Sequence, residues 1–320
     1  MMQRTEYQPR THSTSPVDFL WLELTNQCNL RCTHCYAESG PDVKDVNRLT
    51  SSEQVALIGD AYDLGCRRVQ LIGGEPTISK DLPRLIEHAQ SLGYDLIEVY
   101  TNLVHLPDDL LLCFVEHEIC VATSVYSDKA DSHDAVTRTH GSFRKTIANL
   151  RKVVSAGLPV RVSVIEVPGS HGEGERTARF LNDDVGIQDV RIAPMRPFGR
   201  AEAHTEGGLA DLCGSCASGT LCVSPDGEVA PCIMSKRWSV GSVRTQTLAE
   251  LAQSVRLAHI RQAIRDAAAH AGKDKDHSSG DCAPNVGCPP LNVCGPDLNK
   301  ITLHRGKTTT HAWRPDPAAR

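Results

Sequence analysis

An alternation of strand-like and helix-like segments from Phe19 to about Pro194 limits the fold of this chain more than any other feature. Apolar, β-branched runs predict strands, and amphipathic segments between them predict helices. The six predicted strands span residues 19–24, 67–74, 95–102, 119–126, 159–167 and 188–195. The five predicted helices span residues 49–65, 81–93, 107–117, 142–157 and 174–186.

Strands that alternate with helices predict an α/β fold with parallel strands and right-handed crossovers. Such a chain can form a doubly wound open sheet or a curved, barrel-like sheet, and the periodicity alone does not choose between them. In either case, functional residues lie at the carboxyl ends of the strands.

The alternation stops after about residue 200, where a segment rich in Gly, Cys and turn residues begins. Residues 221–232 predict a hairpin with Asp226-Gly227 at its turn, and residues 247–272 predict one long amphipathic helix. The predicted organisation is a flexible N-terminus, an α/β core, a small Cys-rich domain and a flexible tail, at residues 1–16, 17–200, 201–304 and 305–320.

Composition narrows the classes of partner. The chain has 320 residues and a net charge of −5, which gives no electrostatic support for binding nucleic acid. No apolar run approaches the roughly 18 residues of a membrane-spanning helix. The first sixteen residues are polar and lack the apolar core of a secretion signal. We therefore expect a cytoplasmic protein without nucleic-acid or membrane partners.

The chain contains thirteen cysteines, an unusually high number. A disulfide framework is not expected without a secretion signal, and an odd count fits it poorly. Cys66, Cys113 and Cys120 lie in apolar or helical contexts and are expected to act as small core side chains. The other ten form three groups that predict metal ligands: Cys28, Cys32 and Cys35; Cys213, Cys216, Cys222 and Cys232; and Cys282, Cys288 and Cys294.

The first group follows the first predicted strand directly, with the spacing Cys28-x3-Cys32-x2-Cys35. Structural zinc needs four ligands, and His34 is poorly placed in the tight loop to be the fourth. A [4Fe–4S] cluster can be held by three thiolates with one iron left open, which is typical of a catalytic centre.

A second motif, Gly73-Gly74-Glu75-Pro76, ends the second predicted strand. The two glycines let the backbone approach a ligand closely, although a simple turn would explain them equally well. Together with the cysteine spacing, the motif resembles the Gly-Gly-Glu motif of the radical S-adenosylmethionine (SAM) superfamily. That family usually has an aromatic residue beside the last cysteine; here His34 precedes Cys35 and Tyr36 follows it.

The resemblance implies a partial (β/α)6 TIM-like barrel in which Cys28, Cys32 and Cys35 hold a [4Fe–4S] cluster and SAM chelates the open iron. It implies that the residues contacting SAM are Gly73, Gly74, Glu75, Pro76, Tyr36, Asn102, Ser124 and Arg196, with Arg200 as the alternative arginine. A turn role for Asn102 and Ser124 and a surface role for the arginine are the simpler alternatives.

The later cysteines resemble the SPASM or twitch extension of that superfamily, which holds auxiliary [4Fe–4S] clusters. Seven cysteines are fewer than the eight that two fully protein-ligated clusters need. One full cluster plus one site with an open or non-cysteine ligand fits this count. A single auxiliary cluster is an alternative. A single zinc site made by Cys213, Cys216, Cys222 and Cys232 is the other alternative.

The resemblance implies that the protein cleaves SAM reductively to a 5′-deoxyadenosyl radical, which abstracts hydrogen from a substrate. The expected substrate is a ribosomally made peptide that is cross-linked, epimerised or oxidised; a sugar or cofactor precursor is the alternative. An iron–sulfur redox sensor is the non-enzymatic alternative, and the Gly-Gly-Glu-Pro motif favours the enzyme.

Expected partners are an electron donor of the flavodoxin or ferredoxin type and a separate leader-peptide-binding protein. The sequence does not assign the acid or base.

Overall fold

Six parallel strands form the centre of the protein. The computed structural model describes residues 17–45, 48–169, 172–214, 216 and 218–271. Each strand pairs with the next one along the chain, and all six confirm the predicted segments. They are β1 Phe19–Glu23, β2 Arg68–Ile72, β3 Leu96–Tyr100, β4 Cys120–Val125, β5 Val160–Glu166 and β6 Asp189–Pro194.

The strand order decides between the two closures that the periodicity left open. The strands run in sequential order without a reversal, whereas a doubly wound sheet reverses direction at a switch point. Repeated right-handed crossovers in one direction place the connecting helices on one face and leave the other face as the inside of a partial barrel. The partial (β/α)6 barrel implied by the resemblance is therefore confirmed.

Helices cover the outer face of the sheet. They are α1 Ser51–Asp63, α2 Leu82–Leu92, α3 Asp108–Glu116, α4 Ala130–Thr137, α5 Ser142–Ser155 and α6 Glu173–Phe180. Thr50 begins α1 with a capping box to Glu53, as the sequence predicts. The sequence analysis missed α4, because its buried side chains are the polar His133 and Thr137 and it has no apolar period.

Strand residues alternate between the two faces. On β1, Leu20 and Leu22 belong to the large apolar core shared with the outer helices. Phe19 and Trp21 belong to a second apolar cluster on the opposite face, which we call the inner face, and Glu23 follows the same alternation. The inner face therefore carries both apolar and charged side chains.

The Cys-rich segment continues the barrel sheet. Strand β7, Thr220–Val223, pairs in parallel with β1 and leads into a hairpin with β8, Glu228–Ala230. The predicted turn is confirmed, and Gly227 adopts φ +94° there. Strand β9, Gly241–Ser242, completes a nine-stranded sheet that runs across the boundary predicted near residue 200.

The single helix predicted over residues 247–272 is wrong. Two helices occupy the described part of this range, α7 Leu248–Ala252 and α8 Val255–His270. Ser254 separates them because its side chain accepts a hydrogen bond from the amide of Leu257 and caps α8. Across the described residues, no helix has the length and apolarity needed to cross a bilayer.

Two scattered cysteines confirm the prediction that they are core side chains: Cys66 is fully buried and Cys120 is 5% exposed. Cys113 is only partly buried, on α3. The flexible ends predicted at residues 1–16 and 305–320 lie outside the described residues.

A buried ion pair crosses the inner face. The Arg161 guanidinium binds the Glu98 carboxylate through two bonds, Nε to Oε2 at 2.9 Å and Nη2 to Oε1 at 2.7 Å. Their side chains are 3% and 0% exposed, and Gln70 donates a further hydrogen bond to Glu98. Bidentate geometry and the third partner compensate for the desolvation of both charges.

We expect Glu98→Ala to lower the free energy of unfolding by about 3 to 5 kcal/mol, because it leaves the Arg161 charge buried and unpaired. Urea unfolding of the metal-free protein measures the change. Lys152→Ala is the control, because Lys152 is 50% exposed in its ion pair with Asp108, and it should cost less than about 1 kcal/mol. Equal effects of the two variants would contradict this account.

Candidate functional site

The first cysteine group lies in the loop between β1 and α1, at the carboxyl ends of the strands. Backbone hydrogen bonds hold this loop at several points. The amides of Arg31 and Thr33 donate to carbonyls at the end of α4, and the amide of Cys28 donates to the Gly40 carbonyl at 3.3 Å. Helix α4, which the sequence analysis missed, thus supports the cysteine loop.

Arg200 fixes the same loop from the other side. Its Nε donates to the Cys32 carbonyl and its Nη2 to the Ser39 carbonyl, both at 2.8 Å. Its amide donates to the Cys35 carbonyl at 3.0 Å. The guanidinium is therefore a brace for the cysteine loop. Arg196, the other arginine expected to contact SAM, lies two residues beyond β6 and is partly buried.

The thiols of Cys28 and Cys32 are held where a free thiolate is unfavourable. Burial raises the pKa of Cys28 to about 12, and the Glu75 carboxylate adds to the shift. Burial and the neighbouring Cys35 raise the pKa of Cys32 to about 12. A cationic metal centre would offset these penalties, since it binds the thiolate form. The donor set therefore fits an iron–sulfur cluster.

Hydrogen-bond donors point at the sulfur of Cys28. The Leu30 amide lies 3.4 Å and the Asn102 side-chain amide 3.7 Å from Cys28 Sγ. Such donors stabilise a thiolate and are common around cluster sulfurs. Within the described ranges, no three Cys, His, Asp or Glu side chains converge closely enough to hold one metal ion. A cubane distributes its ligands over several irons and does not require them to converge on one atom.

His34 is a neutral ring in this loop. Burial lowers its pKa to about 4. Its ring lies edge-on to the ring of Tyr126, with centroids 4.9 Å apart. Tyr126, the first residue after β4, thus contacts the cysteine loop, and it lowers the pKa of Cys32 against the larger effect of burial.

Gly73 and Gly74 lie against the chain that leads into the cysteine loop. The Gly74 amide donates to the Thr25 carbonyl at 2.6 Å, and the Glu75 amide donates to the Gln27 carbonyl at 2.9 Å. A Cβ on Gly74 would lie 2.0 Å from the Gln27 oxygen, and Gly73 has φ +129°. Only glycine fits at both positions, because the two backbones touch there.

Glu75 is fully buried and fully hydrogen-bonded within the chain. Oε1 accepts from the amide and hydroxyl of Thr77 and from the Thr101 hydroxyl, at 3.0, 2.7 and 2.6 Å. Oε2 accepts from the Asn102 amide at 2.8 Å. Burial still raises the pKa of Glu75 against these hydrogen bonds. The carboxylate joins the ends of β2 and β3. The buried Pro76 begins the short helical turn that leads from β2 to α2.

Asn102 and Ser124 lie at the ends of β3 and β4, as the sequence predicts. The Asn102 side chain donates to Asn29 Oδ1 at 2.6 Å and accepts from the Val104 amide at 2.9 Å. Ser124 Oγ forms a 2.7 Å hydrogen bond with the Tyr100 hydroxyl. Asn102 therefore adjoins the cysteine loop, whereas Ser124 lies within the wall of the barrel.

Tyr36 contacts two charged residues, Glu23 and Lys236, that the sequence did not indicate as part of the site. Its hydroxyl donates to Glu23 Oε1 at 3.1 Å, and Lys236 Nζ lies 2.6 Å from Glu23 Oε2. Burial and the Glu23 charge raise the pKa of Tyr36 well above its ordinary value. Burial lowers the pKa of Lys236, but Glu23, Cys222 and Cys35 together outweigh it, and the pKa of Lys236 is raised. The signal in the sequence was a glutamate at the end of an otherwise apolar strand.

Three of the four cysteines in the second group, Cys216, Cys222 and Cys232, are buried in the apolar cluster of the inner face. The neighbouring Cys213 and Cys232 raise the pKa of Cys216 well above its ordinary value. Cys222 lies on β7, opposite Trp21, where burial and the Glu23 charge raise its pKa well above its ordinary value. Cys282, Cys288 and Cys294 lie outside the described residues.

Comparison with protein families agrees with this geometry. The model of the Radical SAM superfamily matches residues 22–183, slightly more than half of the chain. The SPASM model, described as an iron-sulfur cluster-binding domain, matches residues 213–283.

Curated relatives fall into two functional classes. GTP 3′,8-cyclase of Hydrogenovibrio crunogenus is 28% identical over 189 residues, which are 58% of this chain and 56% of that protein. The antilisterial bacteriocin subtilosin biosynthesis protein AlbA of Bacillus subtilis is 26% identical over 295 residues, 81% of this chain and 65% of that protein. The chain thus spans between about half and two thirds of these relatives.

Solved structures share the fold. SuiB of Streptococcus suis, bound to its precursor peptide SuiA, superposes with a TM-score of 0.65 at 15% identity, over 77% of this chain and 67% of SuiB. The cysteine loop, the glycine motif and the two family matches lead to one conclusion: the chain belongs to the radical SAM superfamily and carries a SPASM domain.

Proposed function

We propose that this protein is a radical SAM enzyme that modifies a peptide. The observation that carries the proposal is the joining of two motifs at one rim: the cysteine loop and the Gly73–Pro76 turn are bound to each other by backbone hydrogen bonds. When bound, the cluster and SAM would supply a 5′-deoxyadenosyl radical that abstracts hydrogen from the substrate.

In this proposal Cys28, Cys32 and Cys35 hold the cluster. The buried brace formed by Glu75 and Asn102 keeps the glycine turn beside the cysteine loop. Since both Glu75 oxygens already accept hydrogen bonds, the groups that the turn offers to the SAM amino group are chiefly backbone carbonyls.

Tyr36, Ser124 and Arg196 remain proposed SAM contacts. The inner wall and the loops above it position the substrate and exclude water.

The peptide class rests on the SPASM domain and on two comparisons. The relative AlbA, named for subtilosin biosynthesis, aligns over 81% of this chain. SuiB, which shares the fold, is bound to a precursor peptide. The GTP 3′,8-cyclase relatives favour a small-molecule substrate as the second candidate, but their alignment spans only 58% of the chain.

For the auxiliary centre we propose that Cys213, Cys216 and Cys232 are ligands of one cluster, because Cys216 and Cys232 share one buried cluster and the neighbouring Cys213 and Cys232 raise the pKa of Cys216. Cys282, Cys288 and Cys294 are the proposed further ligands. Cys222 lies in the same inner-face cluster as Cys216 and Cys232 and is a further proposed ligand.

An electron donor of the flavodoxin or ferredoxin type, a separate leader-peptide-binding protein and a cytoplasmic location complete the proposal. None of the ten cysteines in the described ranges is in a disulfide, which suits a reducing compartment.

The direct test is anaerobic incubation of the reconstituted protein with SAM and dithionite. We expect 5′-deoxyadenosine to form in wild type and not in Cys28→Ala, with detection by chromatography and mass spectrometry. An intact cluster without this product would refute the enzyme proposal. Incubation of a candidate precursor peptide in deuterated water separates the peptide class from the small-molecule class, because cross-linking or oxidation removes hydrogen and epimerisation incorporates deuterium, and both change the peptide mass.

Iron analysis tests the auxiliary centre. We expect a Cys28→Ala/Cys32→Ala/Cys35→Ala variant to retain roughly four irons for one auxiliary cluster, or roughly eight for two. Adding Cys216→Ala should remove roughly four of them, because Cys216 is a proposed ligand buried in one cluster with Cys232. Adding Cys66→Ala, a buried cysteine of the outer core, is the matched control and should remove none. A triple variant without iron would contradict the auxiliary centre.

Gly74→Ala tests the contact between the two motifs. The new Cβ would overlap the Gln27 oxygen at 2.0 Å, displace the chain before Cys28 and cost about 1 to 3 kcal/mol. We expect less iron at the first site and weaker SAM binding, measured by iron analysis and calorimetry. Gly59→Ala on α1 has its nearest atom 3.9 Å away and should behave as wild type. Full iron content in Gly74→Ala would show that the contact is dispensable.

A further inference from the structure

One ion pair connects the barrel to the SPASM segment between the two groups of cysteines. Glu23 is the last residue of β1, and Lys236 follows Cys232 by four residues. Lys236 Nζ lies 2.6 Å from Glu23 Oε2. The Glu23 side chain is 1% exposed and that of Lys236 is 29% exposed, so both charges lie largely out of water.

Tyr36 brings this ion pair into contact with the first cysteine loop. Its hydroxyl donates to Glu23 Oε1, and its ring centroid lies 5.4 Å from Lys236 Nζ. Tyr36 directly follows Cys35. Cys222 of the second cysteine group and Cys35 of the first both act electrostatically on Lys236.

A cation at this position has a definite electrostatic consequence. Reduction by one electron adds one negative charge to a cluster, and no bond is formed or broken. A nearby cation stabilises the more negative reduced state and raises the reduction potential, while a nearby carboxylate lowers it. Because little water reaches the pair, solvent screens its charges weakly.

We propose that the positive charge of Lys236 raises the reduction potential of the cluster held by Cys28, Cys32 and Cys35. The negative charge of Glu23 limits this rise. The SPASM segment thereby sets how readily a flavodoxin- or ferredoxin-type donor delivers its electron to the barrel. The inference rests on the proposed assignment of the first cluster to these three cysteines.

The two charges make opposite predictions. Removing Lys236 alone leaves the Glu23 carboxylate unpaired, so the reduced cluster is disfavoured. Removing the Glu23 charge alone leaves the ammonium unpaired, so the reduced cluster is favoured. A purely mechanical link between the two segments would weaken in both variants without opposite effects on the potential.

The experiment uses the anaerobically reconstituted full chain as wild type, Lys236→Met, Lys236→Arg, Glu23→Gln and the double variant Glu23→Gln/Lys236→Met. Methionine keeps the length of the lysine, and glutamine keeps the acceptor for Tyr36. Lys152→Met is the matched control, because it removes a lysine from a 50% exposed ion pair on α5. Redox titration follows the EPR signal that changes when SAM is added. Circular dichroism checks that each variant is folded.

At a fixed potential we expect the ratio of reduced to oxidised cluster to fall roughly tenfold in Lys236→Met and to rise roughly tenfold in Glu23→Gln. The double variant, Lys236→Arg and Lys152→Met should stay close to wild type. Shifts of the same sign in both single variants, or no shift in either, would overturn the inference. Should Lys236→Met fail to fold, the comparison of Glu23→Gln with the double variant decides by the same signs.

Measurements on the wild-type protein alone test the proposed function separately from this inference. A SAM-responsive signal with release of 5′-deoxyadenosine supports the proposed function whatever the variants show. A reconstituted wild type without that signal overturns the proposed function and the inference together.

Discussion

The close contact between the Gly73-Gly74 turn and residues 25–27 is the constraint on which the rest of the site depends. Two backbones touch there, and a side chain on Gly74 would overlap the Gln27 oxygen. Two hydrogen bonds then extend the β1–β2 pairing beyond the sheet, up to the residue before Cys28. The position of the first cysteine is therefore set by the neighbouring strand, and the long cysteine loop needs only to be braced by α4 and Arg200.

The inner face of the barrel is organised around charges that each have a partner. Arg161 and Glu98 form a bidentate pair low in the wall, while Glu23 is matched by Lys236 near the rim. An unpaired buried charge costs several kcal/mol, so each partner is required by the other. Because Lys236 comes from the SPASM segment, the barrel depends on that segment for the neutrality of its own wall. The parallel pairing of β7 with β1 makes the same dependence visible in the backbone.

Local sequence encodes some elements of this fold and not others, for physical reasons. The six strands were predictable because each is an apolar, β-branched run bounded by polar turns. Helix α4 was missed because it buries His133 and Thr137 instead of an apolar stripe. The break before α8 was missed because Ser254 was read as a helix-interior residue, whereas its hydroxyl caps a new helix. The pairing of β7 with β1 joins residues about 200 positions apart, and no local pattern encodes it.

The sequence by itself determined the chemistry of the site: which thiols are grouped, that they follow the first strand, and that a glycine pair ends the second. These are local properties, and a local pattern records them. Only the tertiary structure decided that the glycines contact the chain's own backbone and that the Glu75 carboxylate accepts hydrogen bonds from Thr77, Thr101 and Asn102. It also placed Cys216, Cys222 and Cys232 in one buried cluster on the inner face. It alone brought Lys236 to Glu23, because that contact depends on how a late hairpin adds to the first strand of the sheet.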